Sequence, residues 1–256
     1  MGDFGTFGDV HVTLDDDFVA TAEIRRPPNN FFDLDLIDWI GDALRAVDAD
    51  PDARAVVLCS QGKHFCAGAD FGGRGSAPAE PKTNADGSPR HLYDSGLDLF
   101  STRTPVVAAV QGAAIGGGLG LACFADFRVA ASEARFSANF ARLGFHHGFG
   151  LSMTLPRLVG EQRALELLYT GRRITGDEAH ALGLADRNLL LDLPAHHAGA
   201  AVEAEQIALV SLDEVLAQGD SDTRWLAFAF PQLVDEAQLQ FAFGAGVDHD
   251  LREAAL

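Results

Sequence analysis

The chain has 256 residues, 47% of them hydrophobic, with 19 basic and 37 acidic side chains and a net charge of −18. That balance speaks against a nucleic-acid or anionic-membrane surface, since like charges repel, but a small anionic ligand needs only a local positive pocket. No apolar run reaches the ~18 residues that cross a bilayer; no basic-then-apolar leader follows Met1; Cys59, Cys66 and Cys123 have neither CxxC spacing nor an even count, so a reducing cytoplasm is the expected location.

In chain order, Val10, Val12 and Leu14 alternate, as do Val19, Ala20, Ala22 and Ile24 beyond the acidic Asp15–Asp17, which predicts two strands joined by a turn. Arg26-Pro27-Pro28-Asn29-Asn30 breaks the second strand. Leu34, Ile37, Ile40, Leu44 and Val47 recur at helical spacing behind Asp33, a capping residue. Ala55 to Cys59 reads as a strand buried on both faces. The order strand, helix, strand begins an α/β domain.

From Gly72 to Arg90 the residues turn to Gly, Ser, Pro, Asn and Lys, a loop that either covers something or is a plain surface excursion. A helix is expected from Leu92 to Ser101, a buried strand from Pro105 to Val110 and another from Phe127 to Ala131. Thr175-Gly176-Asp177-Glu178 is a capping box that opens a short helix ending near Gly183. From Leu193 the pattern is mostly helical and rich in Ala.

Two glycine-rich turns each follow a buried strand: Gly62-Lys63-His64-Phe65-Cys66-Ala67-Gly68-Ala69-Asp70, and Gly112 to Gly120. Glycine permits positive φ and close approach of a ligand to the backbone. A helix that starts in such a turn leaves its first N–H groups unpartnered. Two turns side by side can aim two amides at one oxygen, an oxyanion hole. The rival is a dinucleotide fingerprint. Gly116 and Gly118 begin one, but its third glycine falls on Leu121; after Gly148 and Gly150 the same place holds Met153, and no G-x-x-x-x-G-K-[ST] occurs.

The segments GKHFCAGADF, PVVAAVQGAAIGGGLGLACFADFRVAASEARF, LGFHHGFGLSMTLPRLVG and LLYTGRRITGDEAHALGLAD, in this order, resemble the crotonase superfamily, which includes enoyl-CoA hydratases and isomerases. The resemblance covers about residues 8–190. It implies a crotonase-like α/β spiral of ββα units over residues 1–190, a helical C-terminal region over 191–256, and a homotrimer or dimer of trimers. It also implies an acyl-CoA thioester as ligand, with CoA entering as part of the substrate and no separate cofactor or metal. The thioester oxygen would be held by the amides of Ala69 and Gly117, next to Gly116, and the pantetheine would pass Ala67 and Gly68. Two preorganised donors stabilise an enolate-like oxygen more than the neutral carbonyl, one donor being worth roughly 2.7–4 kcal/mol.

The chain departs from that pattern where hydratases of the family carry two glutamates, for those positions are Gly120 and Phe140. Proton transfer needs a base within hydrogen-bond reach. His146 and His147, in the loop that faces the acyl group in relatives, are the candidates to supply it, the alternative being hydrogen bonding within the loop. Phe140 either lines the acyl pocket or packs in the core. Arg26 and Lys63 either pair with the CoA phosphates or are solvated surface charge. Asp70 is expected to cap a following helix, Cys66 to be an inert thiol, and His196-His197 to lie on a solvated face. Three functions stay open: an enzyme with altered chemistry on a CoA thioester, a non-catalytic acyl-CoA binder, and an ordinary 2-enoyl-CoA hydratase with relocated acid and base groups. A partner-binding module that no longer holds CoA is a fourth, disfavoured by the two intact glycine turns.

Overall fold

Alternating apolar residues at the N-terminus build a meander. Strand β1 (Gly2–Phe7) pairs antiparallel with β2 (Val10–Leu14), and β2 with β3 (Val19–Ile24). The structure, a computed structural model, describes residues 2–70, 83, 84, 86–90 and 92–189. Strand β1 is not anticipated by the sequence reading. A bulge between Asp3 and Gly5 breaks its two-residue period, so that Phe4 and Phe7, three apart, both pack against the core.

Helix α1 (Leu34–Asp48) starts where Asp33 accepts the Leu36 N–H at 2.9 Å, and buries Leu36, Ile37, Ile40, Leu44 and Val47. Strand β4 (Ala55–Ser60) is buried at every position and lies parallel to β3. The described end of the 72–90 loop is a small hairpin, Thr83 bridging Pro89, that leads to α2 (Leu92–Leu99). Strand β5 (Val106–Val110), also buried throughout, is parallel to β4. A short strand, β6 (Ala113–Ile115), follows, and then α3 (Gly117–Phe124), buried from Gly117 to Cys123. Such all-round burial suits a helix that is apolar on every side.

Strand β7 (Phe127–Ala131) returns to the large sheet beside β5, while β8 (Arg135–Ser137) pairs parallel with β6. A 3-10 turn (Asn139–Leu143) leads into helices α4 (Leu151–Val159) and α5 (Glu161–Thr170). Strand β9 (Ile174–Thr175) pairs with β8, and α6 (Gly176–Leu182) opens at the expected capping box, Thr175 Oγ1 accepting the Glu178 N–H at 3.1 Å. Strand β10 (Arg187–Leu189) completes a seven-stranded sheet of order β1-β2-β3-β4-β5-β7-β10, beside a three-stranded sheet β6-β8-β9.

The chain divides into two compact units, Met1–Ala208 and Leu209–Leu256, and every described residue belongs to the first. The boundary expected at 190/191, the helical region beyond it, His196-His197 and most of the 72–90 loop lie outside the described residues, as does any helix for Asp70 to cap. Among the described residues no helix is long and apolar enough to cross a membrane.

Candidate active site

Strands β4 and β5 run side by side in one direction, so the turns leaving their C-terminal ends emerge together. The two turns are bonded to one another: the Cys66 N–H donates to Ala113 O at 2.9 Å and the Ile115 N–H to Cys66 O at 3.0 Å. The 26–33 loop forms a third wall. Asn30, fully buried with φ 46°, donates its side-chain amide to Gln61 O (2.8 Å) and His64 O (2.6 Å), and Asn29 O accepts the Ala67 N–H at 2.9 Å. From the other side the Gln111 amide reaches Ser60 O at 2.8 Å. His64 Nδ1 accepts the Ala113 N–H at 3.3 Å, and burial together with the charge of Lys63 keeps this ring below the usual histidine range, in the neutral form such acceptance needs.

Two peptide groups are pinned by their carbonyls. The Phe32 N–H donates to Gly68 O at 3.1 Å, and the Gly120 N–H donates to Gly116 O at 3.1 Å, the first bond of α3. In a trans peptide the N–H points opposite to the C=O. The N–H groups of Ala69 and Gly117 therefore face away from those partners, and neither donates a hydrogen bond among the described residues. Both turns depend on glycine: φ is 85° at Gly68 and 58° at Gly116, where other residues are strained.

Phe140 stands between the second turn and the 144–150 loop, since a methyl group at Gly116 would lie 3.9 Å from its ring and one at Gly148 3.3 Å. In that loop His146 is exposed, with Nδ1 3.0 Å from His147 O, and the two imidazoles are 5.0 Å apart. His147 is half-buried, 6.1 Å from the Tyr169 ring, and its buried Nδ1 has no partner among the described residues. Burial, and then the neighbouring His146, holds His147 below the usual histidine range.

Arg26 is half-buried, paired with Asp9 and, at 2.9 Å, with Asp33, and its guanidinium lies over the Trp39 ring. Its charge is thus matched by two carboxylates, whereas Lys63 is exposed and makes no ion pair among the described residues. Burial pushes the Cys66 thiol up to about 12, so it stays protonated. No group of three or more metal-ligating side chains occurs among the described residues.

The structure thus brings Ala67, Gly68, Ala69, Gly116 and Gly117 to one place, with Phe140 against Gly116. It adds residues that the sequence reading did not single out, Phe32 and Phe149 above all. A methyl group at Gly120 would meet Phe149 Cβ, Cδ1 and O at 2.7, 2.8 and 2.8 Å. The one signal in the sequence is the flanking of Phe149 by two glycines, Gly148 and Gly150.

Parallel strands that deliver two bonded glycine turns to one spot define an α/β protein with its site at the strand ends. The chain belongs to the enoyl-CoA hydratase/isomerase family, whose profile matches residues 16–208. It is 42% identical over 146 residues to a probable enoyl-CoA hydratase of Mycobacterium tuberculosis, covering 56% of this chain and 55% of that protein. It is 38% identical over 175 residues to a crotonyl-CoA hydratase of Syntrophomonas wolfei, covering 66% of this chain and 65% of the relative. The matched stretch therefore spans less than two thirds of these relatives. Among solved structures, the enoyl-CoA hydratase of Bacillus anthracis superposes with a TM-score of 0.65 at 29% identity, covering 91% of this chain and 94% of that one. The crotonase-like α/β fold expected from the motifs is the fold observed.

Proposed function

We propose that this protein binds an acyl-CoA thioester and polarises its carbonyl between the amides of Ala69 and Gly117. The observation that carries the reading is the pair of peptides pinned by their carbonyls, with N–H groups that find no acceptor among the described residues. Fixed donors need no reorganisation as charge grows on the oxygen, so they favour the enolate-like state over the ground state. Ala67 and Gly68 would flank the pantetheine, Phe140 the acyl group, and Lys63 the phosphates. The assembly is a homotrimer or a dimer of trimers.

The chemistry differs from plain hydration. Glycine at 120 and phenylalanine at 140 supply no carboxylate, and His147, kept neutral near pH 7 by its lowered pKa, is the base, with His146 beside it. A second reading, a non-catalytic acyl-CoA binder, is favoured by the same missing carboxylates. Calorimetry with butyryl-CoA tests binding, and hydration of crotonyl-CoA is expected to be slow or absent. In a screen of acyl-CoA substrates, His147→Ala abolishes turnover of the true one. The wild-type rate falls only below the ordinary histidine pKa of about 6.5, because the base must be neutral. Rapid crotonyl-CoA hydration untouched by His146→Ala and His147→Ala overturns the altered chemistry; binding without turnover of any substrate leaves the binder.

A further inference from the structure

We infer that Phe32 is a positioning residue for both amides, and that Phe149 acts behind it; the inference rests on the two-amide reading above. Phe32 touches both carrier peptides. Its main-chain N–H donates to Gly68 O, the carbonyl of the peptide that ends in the Ala69 N–H. Its ring lies against Gly117, where an added methyl group would fall 1.8 Å from Cζ and 1.9 Å from Cε1. One residue thereby fixes the direction of one donor through a hydrogen bond and the position of the other through contact.

The ring is itself held. Gly117 and Gly120 are three residues apart and share a face of α3. Phe32 covers the first and Phe149 the second, with ring centroids 5.7 Å apart and planes tilted by 59°. Such tilted aromatic pairs attract beyond their buried area. Phe149 is closed in from a third side by α2, a methyl group at Gly96 lying 3.4 Å from its Cε2. It adopts φ 51°, which a bulky residue rarely does, and backbone strain of this kind persists only where the surroundings over-determine it. Two phenylalanines from distant loops thus fill the flank of α3 that its glycines leave open. They fix the start of the helix, and with it the Gly117 amide, without a side chain from α3 itself.

The test uses 4-(dimethylamino)cinnamoyl-CoA, whose conjugated chromophore absorbs at longer wavelength when its carbonyl oxygen is polarised. Wild type is expected to bind it with a red shift. Phe32→Ala, which keeps the main-chain bond to Gly68 O and so tests the ring against Gly117, keeps affinity within about threefold yet loses about half of the shift per bound molecule. Phe32→Leu, which restores bulk, recovers part of it, and Phe149→Leu shows a smaller loss. Loss of packing alone would lower the melting temperature and leave the shift intact, so a full shift in Phe32→Ala overturns the inference. Should Phe32→Ala fail to fold, Phe32→Leu and Phe149→Leu decide by the same criterion. Wild-type binding without a shift sinks the two-amide reading, no binding at all sinks the acyl-CoA reading, and either takes this inference with it.

Discussion

Gly120 and Phe149 illustrate how one position constrains another 29 residues away. Position 120 has no side chain, and Phe149 stands within 2.8 Å of any Cβ placed there. Gly120→Ala should therefore destabilise the protein by about 1–3 kcal/mol, the usual cost of overpacking. In a Phe149→Ala background only the Cδ1 contact is lost, Cβ and the carbonyl oxygen staying at 2.7 and 2.8 Å, so the same substitution should still be costly, with a coupling of about 0.5 kcal/mol, the low end for touching residues. Urea unfolding of the four variants measures it. Equal penalties in both backgrounds would show that the ring is not what fills the space. That positions 120 and 140 hold no carboxylate is plain in the sequence, where Gly120 and Phe140 stand. The residue that fills the space beside Gly120 was not legible, because no local pattern links residues 120 and 149, and Phe32 gave no sign of touching Gly117.

Elements were legible where they carry their own signal. Helix α1 announces itself by a capping aspartate and a 3.6-residue apolar period, β4 and β5 by unbroken apolar runs, and α6 by its capping box. Strands β6, β8 and β9, of three, three and two residues, exist because of partners elsewhere in the chain, and nothing within so few residues sets them apart from loop. The same holds for the site, whose glycine turns could be read but whose third wall, the 26–33 loop, is placed by hydrogen bonds to distant carbonyls. That wall leads directly into α1, so its stability is tied to the helix start. Asp33 both accepts the Leu36 N–H and pairs with Arg26 at 2.9 Å. Asp33→Ala should cost about 0.5–2 kcal/mol in urea unfolding, the worth of a cap. Asp33→Asn keeps the cap without the charge and should recover most of the loss; if it recovers none, the ion pair with Arg26 dominates instead.

Across the molecule, charge sets how an anionic ligand arrives. The net charge of −18 would repel the acyl-CoA proposed above at long range, and Arg26, tied to Asp9 and Asp33, adds no net positive charge to oppose it. In the proposed function Lys63, exposed on the first glycine turn, opposes that field. Long-range repulsion is screened by salt, the Debye length falling from ~30 Å at 0.01 M to ~8 Å at 0.15 M, while a contact at the Lys63 ammonium is screened less. The association rate of butyryl-CoA, followed by stopped-flow fluorescence, should therefore rise as ionic strength increases over that range, the reverse of steering by a positive funnel. Lys63→Ala removes the local attraction and leaves the repulsion, so its rate should be lower and its rise with salt steeper. A rate that falls with salt in the wild type would mean that local cations outweigh the overall charge at the distance where the ligand commits to the site.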